Sequence, residues 1–240
     1  MKDFKDITAV ILAGGKGTRL AELTRLKPKP LIKIGTKPII WHIMKIYSFY
    51  GINKFVICLG FKGNLIKKEL LKYRNLEKWN INFVNTGINT MTGGRIKKVR
   101  NFVKNDKFFC VSYGDGLSDI KIDKLIKFHQ KKKKAATLTA VRYKNPKGIL
   151  SISQNSEVAK IKEKPIEYIN GGFFILTNKI FKYLKNNKSI FEEDCLPQLS
   201  KIKQLNAYKH NGFWACMDTM REKIEINNIW KKKKALWKVW

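Results

Sequence analysis

Arginine is scarce in this chain. Of fifty basic side chains only seven are Arg, so a formal net charge of +32 is carried almost wholly by lysine. Arg is the residue whose planar fork grips phosphates and base edges in pairs, and its scarcity argues against a nucleic-acid groove. The charge is also unfocused: successive sixty-residue quarters carry +8, +7, +10 and +7, whereas a nucleic-acid surface gathers its charge into a stripe or patch. The densest runs, Lys131–Lys134 and Lys231–Lys234, each follow a helical pattern. They read as solvated helix ends, favoured by the negative end of the helix dipole. Attraction for small polyanions such as triphosphates and sugar phosphates survives this argument.

Other absences narrow the field further. No stretch reaches the ~18 uncharged apolar residues needed to span a bilayer, and the apolar run of MKDFKDITAVILAGG is too short for a signal peptide. The expectation is a cytoplasmic protein that makes no membrane contact. The four cysteines, Cys58, Cys110, Cys195 and Cys216, form no C-x-x-C pair, and two lie in apolar strand-like runs. They read as buried free thiols in preference to a disulfide or zinc set. Pro/Gly/Ser-rich linkers and internal repeats are missing too. What is present, 44% hydrophobic and 12% aromatic residues in 240, suffices for a core and excludes disorder of the whole chain.

The first half alternates two periodicities. Strand-like runs at Ile7–Ala13, Lys54–Gly60, Ile81–Asn85, Lys107–Tyr113 and Ala135–Tyr143 are separated by helical patterns at Pro38–Tyr50, Asn64–Tyr73, Gly94–Val103 and Ile122–Lys133. Gly51 stands where a helix-ending glycine belongs. This order indicates βαβ units and an α/β, Rossmann-like, mostly parallel central sheet flanked by helices. From Asn145 the pattern changes. Ile149–Ser153 and Val158–Lys162 read as a hairpin, Gly172–Leu176, Leu205–His210 and Phe213–Met217 as short strands, and Lys179–Lys185, Glu192–Lys201 and Thr219–Lys231 as helical. The second half is expected to be a small antiparallel β elaboration of one domain spanning 1–240. Residues 1–144 would form its nucleotide-binding core, and 145–240 its sugar-binding part and C-terminal helix.

Three motifs carry chemistry. Leu12-Ala-Gly-Gly-Lys-Gly-Thr-Arg19 follows the first strand, and its small residues let backbone N–H groups approach an anion. It is neither a Walker A loop, since no Gly-Lys-[Ser/Thr] follows, nor a dinucleotide fingerprint, since Leu20 occupies the third glycine position. Pro28 and Pro30 hold Lys27-Pro-Lys29-Pro30 extended, so one lysine can face inward at a phosphate. Tyr113-Gly-Asp115-Gly116 closes the fourth strand, where open α/β sheets bind ligands. A carboxylate there suits Mg²⁺, or else a plain Asp-Gly turn. Asp218, before the last helix, is a candidate partner or a helix N-cap. The histidines His42, His129 and His210 fall in helical and strand patterns and read as structural.

The segments GGKGTRL, KPKPL, TMTGGR, YGDG, AATLTAVR, KEKP, INGGFF and HNGFWACMDT together resemble the sugar-1-phosphate nucleotidyltransferases, and MTGGR with HNGFW-x-x-MDT resembles their cytidylyl branch. The resemblance runs nearly end to end. It implies that Leu12, Ala13, Gly14, Gly15, Lys16, Gly17, Thr18 and Arg19 hold the CTP phosphates and base, with Arg19 on the departing phosphates. Lys29 would act at the reacting α-phosphate, while Thr90, Arg95 and Gly114 would bind the nucleotide. Asp115 and Asp218 would hold Mg²⁺, giving Arg19, Lys29 and Asp115 as the catalytic set. Glu163, Lys164, Asn170 and Gly171 would grip the sugar phosphate; from residue type alone, Glu163-Lys164 reads equally as an exposed ion pair and Asn170-Gly-Gly as a turn.

The implied reaction is in-line attack of α-D-glucose 1-phosphate on CTP, giving CDP-glucose and pyrophosphate for deoxysugar, O-antigen and lipopolysaccharide synthesis, by a homo-oligomer. The attacking phosphate is already anionic, so no general base is required, and catalysis would rest on alignment and charge neutralisation. Two departures stand out. Asn75–Val84 is shorter than the corresponding family segment, and Asn145-Pro-Lys-Gly148 replaces an Arg-Phe-Gly approach near the sugar pocket. The rivals are the same chemistry with another nucleotide or sugar, a basic nucleic-acid-binding protein, and a catalytically silent regulatory homologue.

Overall fold

The structure, a computed structural model, describes residues 4–20, 24, 26–145 and 147–240, and of Arg19 the backbone alone. In chain order the strands are β1 (Thr8–Leu12), β2 (Lys33–Ile34), β3 (Lys37–Pro38), β4 (Lys54–Leu59), β5 (Asn80–Asn85), β6 (Phe109–Tyr113), β7 (Gly116–Ser118), β8 (Ala136–Lys144), β9 (Ile149–Ile152), β10 (Val158–Lys162), β11 (Ile166–Leu176), β12 (Leu205–His210) and β13 (Trp214–Cys216). The helices are α1 (Ile39–Phe49), α2 (Gly63–Arg74), α3 (Thr92–Lys98), α4 (Arg100–Val103), α5 (Ile122–Lys132), α6 (Leu196–Lys201) and α7 (Met220–Lys231).

Seven strands form one sheet in the order β12-β8-β11-β6-β1-β4-β5. The run β6-β1-β4-β5 is parallel, β12 is parallel to β8, and β11 enters antiparallel between β6 and β8. The α/β, mostly parallel sheet expected from the alternating periodicities is present. Its interior strands are apolar on both faces because both are covered. Along β1, Ala9 and Ile11 join one apolar cluster while Val10 joins the other, and Phe55 and Ile57 of β4 likewise oppose Val56 and Cys58. One face is closed by α1, α2, α5 and α7 through residues such as Ile43, Ile66, Ile126 and Ile226; the other by α3, α4 and α6 through Ile96, Val103 and Leu199.

Several elements differ from their sequence patterns for local reasons. The helix expected over Gly94–Val103 begins earlier and breaks at Val99, whose backbone (φ −97°, ψ 8°) separates α3 from α4. Lys179–Lys185 is instead a 3-10 stretch over Asn178–Tyr183, and the helix read from Glu192 opens as a π turn over Phe191–Cys195 before α6. The strand read as Gly172–Leu176 starts at Ile166. Asn170-Gly-Gly is therefore no turn: it is an irregularity within β11, where the pairing with β8 shifts between Asn170 and Phe174. Extra residues in one strand bend it and re-aim its side chains. The hairpin β9–β10 is present and exposes Leu150, Ile152, Val158 and Ile161. In the short Asn75–Val84 segment, Asn75–Trp79 form a compact turn leading into β5, with Trp79 N–H donating to Arg74 O and the Trp79 ring packed edge-on against Phe55.

The C-terminal tail is tied down by aromatics. Trp237 is fully buried, stacked between Phe213 and Trp230, and Trp230 meets the His42 ring of α1 edge-on at 4.8 Å. The histidines are structural. His42 Nε2 lies 3.0 Å from Ile34 O and His129 Nδ1 2.8 Å from Thr137 Oγ1. Of the cysteines, Cys58, Cys110 and Cys195 are buried and all four are free, while Cys216 is only half-buried. Among the described residues no helix is long and apolar enough to cross a membrane.

Burial lowers both His42 and His129 to about 4. A histidine depressed below its ordinary value of ~6.5 is neutral in the fold and takes up a proton on unfolding, so its stabilising effect is complete above ~6.5 and is lost as pH falls toward 4. Urea unfolding should therefore show a loss of up to ~2 kcal/mol per histidine between pH 7 and pH 5. A His129→Gln variant should show a shallower pH dependence; an unchanged slope would contradict the assignment.

Candidate active site

The glycine-rich loop leaves the carboxyl end of β1 and is pinned by backbone bonds. Ala13 N–H donates to Cys58 O at 3.1 Å, and Gly14 O accepts from Phe61 N–H at 3.0 Å. A third clamp is Arg95 of α3. Its guanidinium, 4% exposed, donates to Gly14 O (2.9 Å), Leu59 O (3.2 Å), Gly87 O (2.9 Å), Ile88 O (3.4 Å) and Thr86 Oγ1 (2.5 Å). Arg95 borders the cavity, but its donors are committed to protein oxygens. Arg95, for which a nucleotide contact was expected, ties the first loop to the ends of β4 and β5 in this structure. Thr90 Oγ1 likewise donates to Thr86 O at 2.6 Å. The TGG segment allows α3 to sit there, because a Cβ at Gly94 would stand 2.6 Å from Asn187 O, and only glycine fits so close a backbone.

Between the loop, the Ile88–Thr92 segment and the end of β6 lies a cavity of ≈ 940 Å³. Beside it a smaller one of ≈ 300 Å³ shares Gly15, Gly17, Thr18 and Asp115 and includes Lys29. Leu12, Gly14, Lys16 and Gly114 line the larger space and Ala13 the smaller. The Arg19 side chain lies outside the described residues.

At the floor three residues meet. Lys29 Nζ is 2.5 Å from Asp115 Oδ2 and 2.6 Å from Asp218 Oδ1. Burial pulls the Lys29 ammonium down, but the Asp115 charge and hydrogen bonds to both aspartates outweigh it, leaving Lys29 above its ordinary value and fully protonated at neutral pH. Two aspartates 103 positions apart are brought together by a short antiparallel ladder: β7 pairs with β13, Gly116 opposite Cys216, and Met217 N–H donates to Asp115 O. Asp115 stands just before β7 and Asp218 just after β13. Asp218 is not the helix cap. Thr219 caps α7, in a reciprocal box with Glu222, whose carboxylate also accepts from Asp218 N–H. Its own carboxylate is thereby left to face Lys29.

The sugar-side expectations divide. Asn170 lines the large cavity, its amide fixed at both ends: Oδ1 accepts from Gly172 N–H at 2.9 Å and Nδ2 donates to Tyr113 OH at 3.0 Å. Gly171 stands behind it, accepting from Trp214 Nε1 at 2.8 Å. Glu163 and Lys164, by contrast, lie between β10 and β11 with side chains 70% and 54% exposed, 3.9 Å from each other and outside the cavity lining. The exposed ion pair is what the structure shows there.

Sequence reasoning missed Glu192. It reaches the cavity from the π turn, accepting from Thr92 Oγ1 at 2.6 Å and from Tyr113 OH. Burial, then the Glu192 charge, pushes the Tyr113 hydroxyl far up, so it remains a donor. Three acids in a first helical turn read equally well as partners of the dipole, and no pattern distinguished Glu192 from Glu193.

A glycine loop at the carboxyl end of a central strand, facing two converging carboxylates and a lysine, is an arrangement suited to phosphate chemistry. Over residues 8–232 the chain matches the Nucleotidyl transferase family, and it belongs to that family. It is similar to the glucose-1-phosphate cytidylyltransferase of Salmonella typhi, 43% identical over 255 aligned residues covering 97% of this chain and 99% of that protein. Among solved structures it is similar to HddC from Yersinia pseudotuberculosis complexed with GMP-PN, with TM-score 0.74, 25% identity and coverage of 93% of this chain and 99% of that one. A Bacillus anthracis chain described as a putative glucose-1-phosphate thymidylyltransferase shares the fold, with TM-score 0.75 and 21% identity over 93% and 94% of the two chains.

Replacing Arg95 by Met would strand several buried carbonyls. Each buried polar group left unsatisfied costs about 1–3 kcal/mol, so urea unfolding should reveal a loss of ~2 kcal/mol or more. Wild-type stability in R95M would contradict the clamp.

Proposed function

We propose that the protein is a glucose-1-phosphate cytidylyltransferase, joining CTP and α-D-glucose 1-phosphate into CDP-glucose with release of pyrophosphate. The observation that carries this reading is the meeting of Lys29, Asp115 and Asp218 beneath the glycine loop. Residues 1–240 act as one domain, in which 1–144 hold the nucleotide and 145–240 complete the sugar side. The family resemblance and the 43% identical relative support the choice of CTP and glucose 1-phosphate.

The donor set fits magnesium. The Lys29 ammonium already serves as a cation between two carboxylate oxygens aimed at one point, and Mg²⁺ takes one or two carboxylates together with substrate phosphate oxygens. Asp115 and Asp218 would hold it, and when bound it neutralises phosphate charge developing in the transition state. The loop Leu12–Thr18 binds the triphosphate with backbone N–H groups. Lys29 would present its ammonium to the α-phosphate. The sugar phosphate, already anionic, attacks the α-phosphorus in line while the bond to pyrophosphate breaks, so no side chain need remove a proton. This agrees with the structural engagement of His42 and His129. Asn170 keeps one amide N–H for a sugar hydroxyl or phosphate, oriented through Tyr113 and Glu192. Glu163 and Lys164 are left out of this assignment. The exposed apolar side chains of β9–β10 support a homo-oligomer, and the family resemblance supports a cytoplasmic role in deoxysugar and O-antigen synthesis.

With Mg²⁺ and glucose 1-phosphate, a pyrophosphate-release assay across CTP, UTP, dTTP and GTP should give the highest kcat/KM with CTP; a preference for GTP would transfer the reading to guanylyl chemistry. Asp115→Asn should lower turnover by at least about 10²-fold while the protein stays folded. An undiminished rate would refute the role of Asp115.

A further inference from the structure

We propose that Cys216 supplies a third, sulfur ligand to the Asp115–Asp218 pair, so that the same seat takes thiophilic divalent cations of the zinc, cobalt and cadmium class as a three-residue chelate. The proposal rests on reading the two aspartates as the metal seat and adds a chemistry that magnesium would not use.

The geometry is specific. A carboxylate oxygen of Asp115, the sulfur of Cys216 and a carboxylate oxygen of Asp218 all lie within 4.8 Å of one another. Their separation is fixed by backbone, since Cys216 ends β13 directly opposite Gly116, the neighbour of Asp115, and Met217 N–H donates to Asp115 O. An independent sign that a cation belongs at this point is the Lys29 ammonium, 2.5 and 2.6 Å from the two carboxylates. Cys216 also differs from its fellow cysteines. Cys58, Cys110 and Cys195 are buried in the protein interior, whereas Cys216 is half-buried and borders the large cavity together with both aspartates.

Ligand chemistry separates two classes of ion at this seat. Magnesium is a hard cation that takes oxygen donors and retains waters, so it would use the carboxylates and ignore the sulfur. Zinc binds thiolate at about 2.3 Å and carboxylate oxygen at about 2.0–2.2 Å. Tetrahedral geometry then sets the donor atoms about 3.3–3.8 Å apart, within reach of small side-chain rotations from the present arrangement. A coordinating thiol is deprotonated outright by the ion's charge; the sulfur lone pair forms the bond to the metal and the proton passes to solvent. Lys29, still protonated, leaves the seat. A zinc-class ion held this way would compete with magnesium for both aspartates, making the enzyme zinc-sensitive through Cys216.

The test uses the reduced full-length protein without nucleotide, titrated with Co²⁺. Wild type should develop a near-ultraviolet sulfur-to-cobalt charge-transfer band that saturates at a single ion per chain and disappears on adding Zn²⁺. Cys216→Ser should lose the band, and Asp218→Asn should weaken cobalt affinity by about tenfold or more. A wild-type protein without the band, or a Cys216→Ser protein that keeps it, would overturn the proposal. Should the serine variant not fold, ¹¹³Cd NMR of the wild type decides: a downfield, sulfur-ligated resonance is expected, and an oxygen-only shift overturns the inference. The two readings fail separately. Loss of the sulfur signature with CTP turnover intact removes only the role of Cys216, whereas cobalt binding indifferent to both aspartates removes the metal seat.

Discussion

Two carboxylates held side by side repel one another, and this site depends on a cation between them. Unit charges about 4 Å apart in a near-surface environment interact by about 4 kcal/mol, enough to spread Asp115 and Asp218 unless something positive intervenes. Lys29 does so at 2.5 and 2.6 Å. The extended path expected through KPKP holds only as far as Pro28; Lys29 then opens a 3-10 turn over Lys29–Leu31, whose first turn Pro30 suits, and it is partly buried beside the glycine loop. One lysine therefore holds the two carboxylates in register.

The surroundings serve to make that spot rigid. The β7–β13 ladder fixes the spacing of the aspartates; Thr219 and Glu222 form the capping box of α7, and the Asp218 carboxylate meets Lys29. Arg95, with five oxygens about its guanidinium, sets the glycine-rich loop relative to β4 and β5. On the far wall, Glu192, Tyr113 and Asn170 form a relay of hydrogen bonds in which each group's orientation is decided by the next. Sites that act by alignment and electrostatics need such preorganised support.

Much of the fold was legible because period two and period 3.6 are imposed locally by burial. The strands β1, β4 and β6, apolar on both sides, announce a sheet covered by helices on each face. The glycine loop and KPKP stood out as a candidate anion site because small residues and extended-backbone prolines leave N–H groups and a lysine free to approach one. What was not legible is what long-range pairing decides. Nothing local shows Gly116–Ser118 finding Trp214–Cys216, so the meeting of the aspartates is decided by a strand pairing that the sequence does not display. Asn170-Gly-Gly has the composition of a turn yet lies within a strand, since pairing on both sides of β11 overrides local preference. Arg95 and Glu192 show the same limit: a charged residue's partner depends on which loops fold over it. Glu163 and Lys164 show the converse: they are exposed in this structure, and only likeness to a family motif, nothing in their local surroundings, points to a sugar phosphate.

The central claim is that Asp115 and Asp218 constitute one cation seat. Mn²⁺ binding followed by electron paramagnetic resonance, on wild type, Asp115→Asn, Asp218→Asn and the double variant, addresses it directly. If the account is right, each single substitution removes most of the affinity and the double variant is little worse than either, since both destroy the same site. Wild-type affinity in either single variant, or losses that simply add, would contradict it.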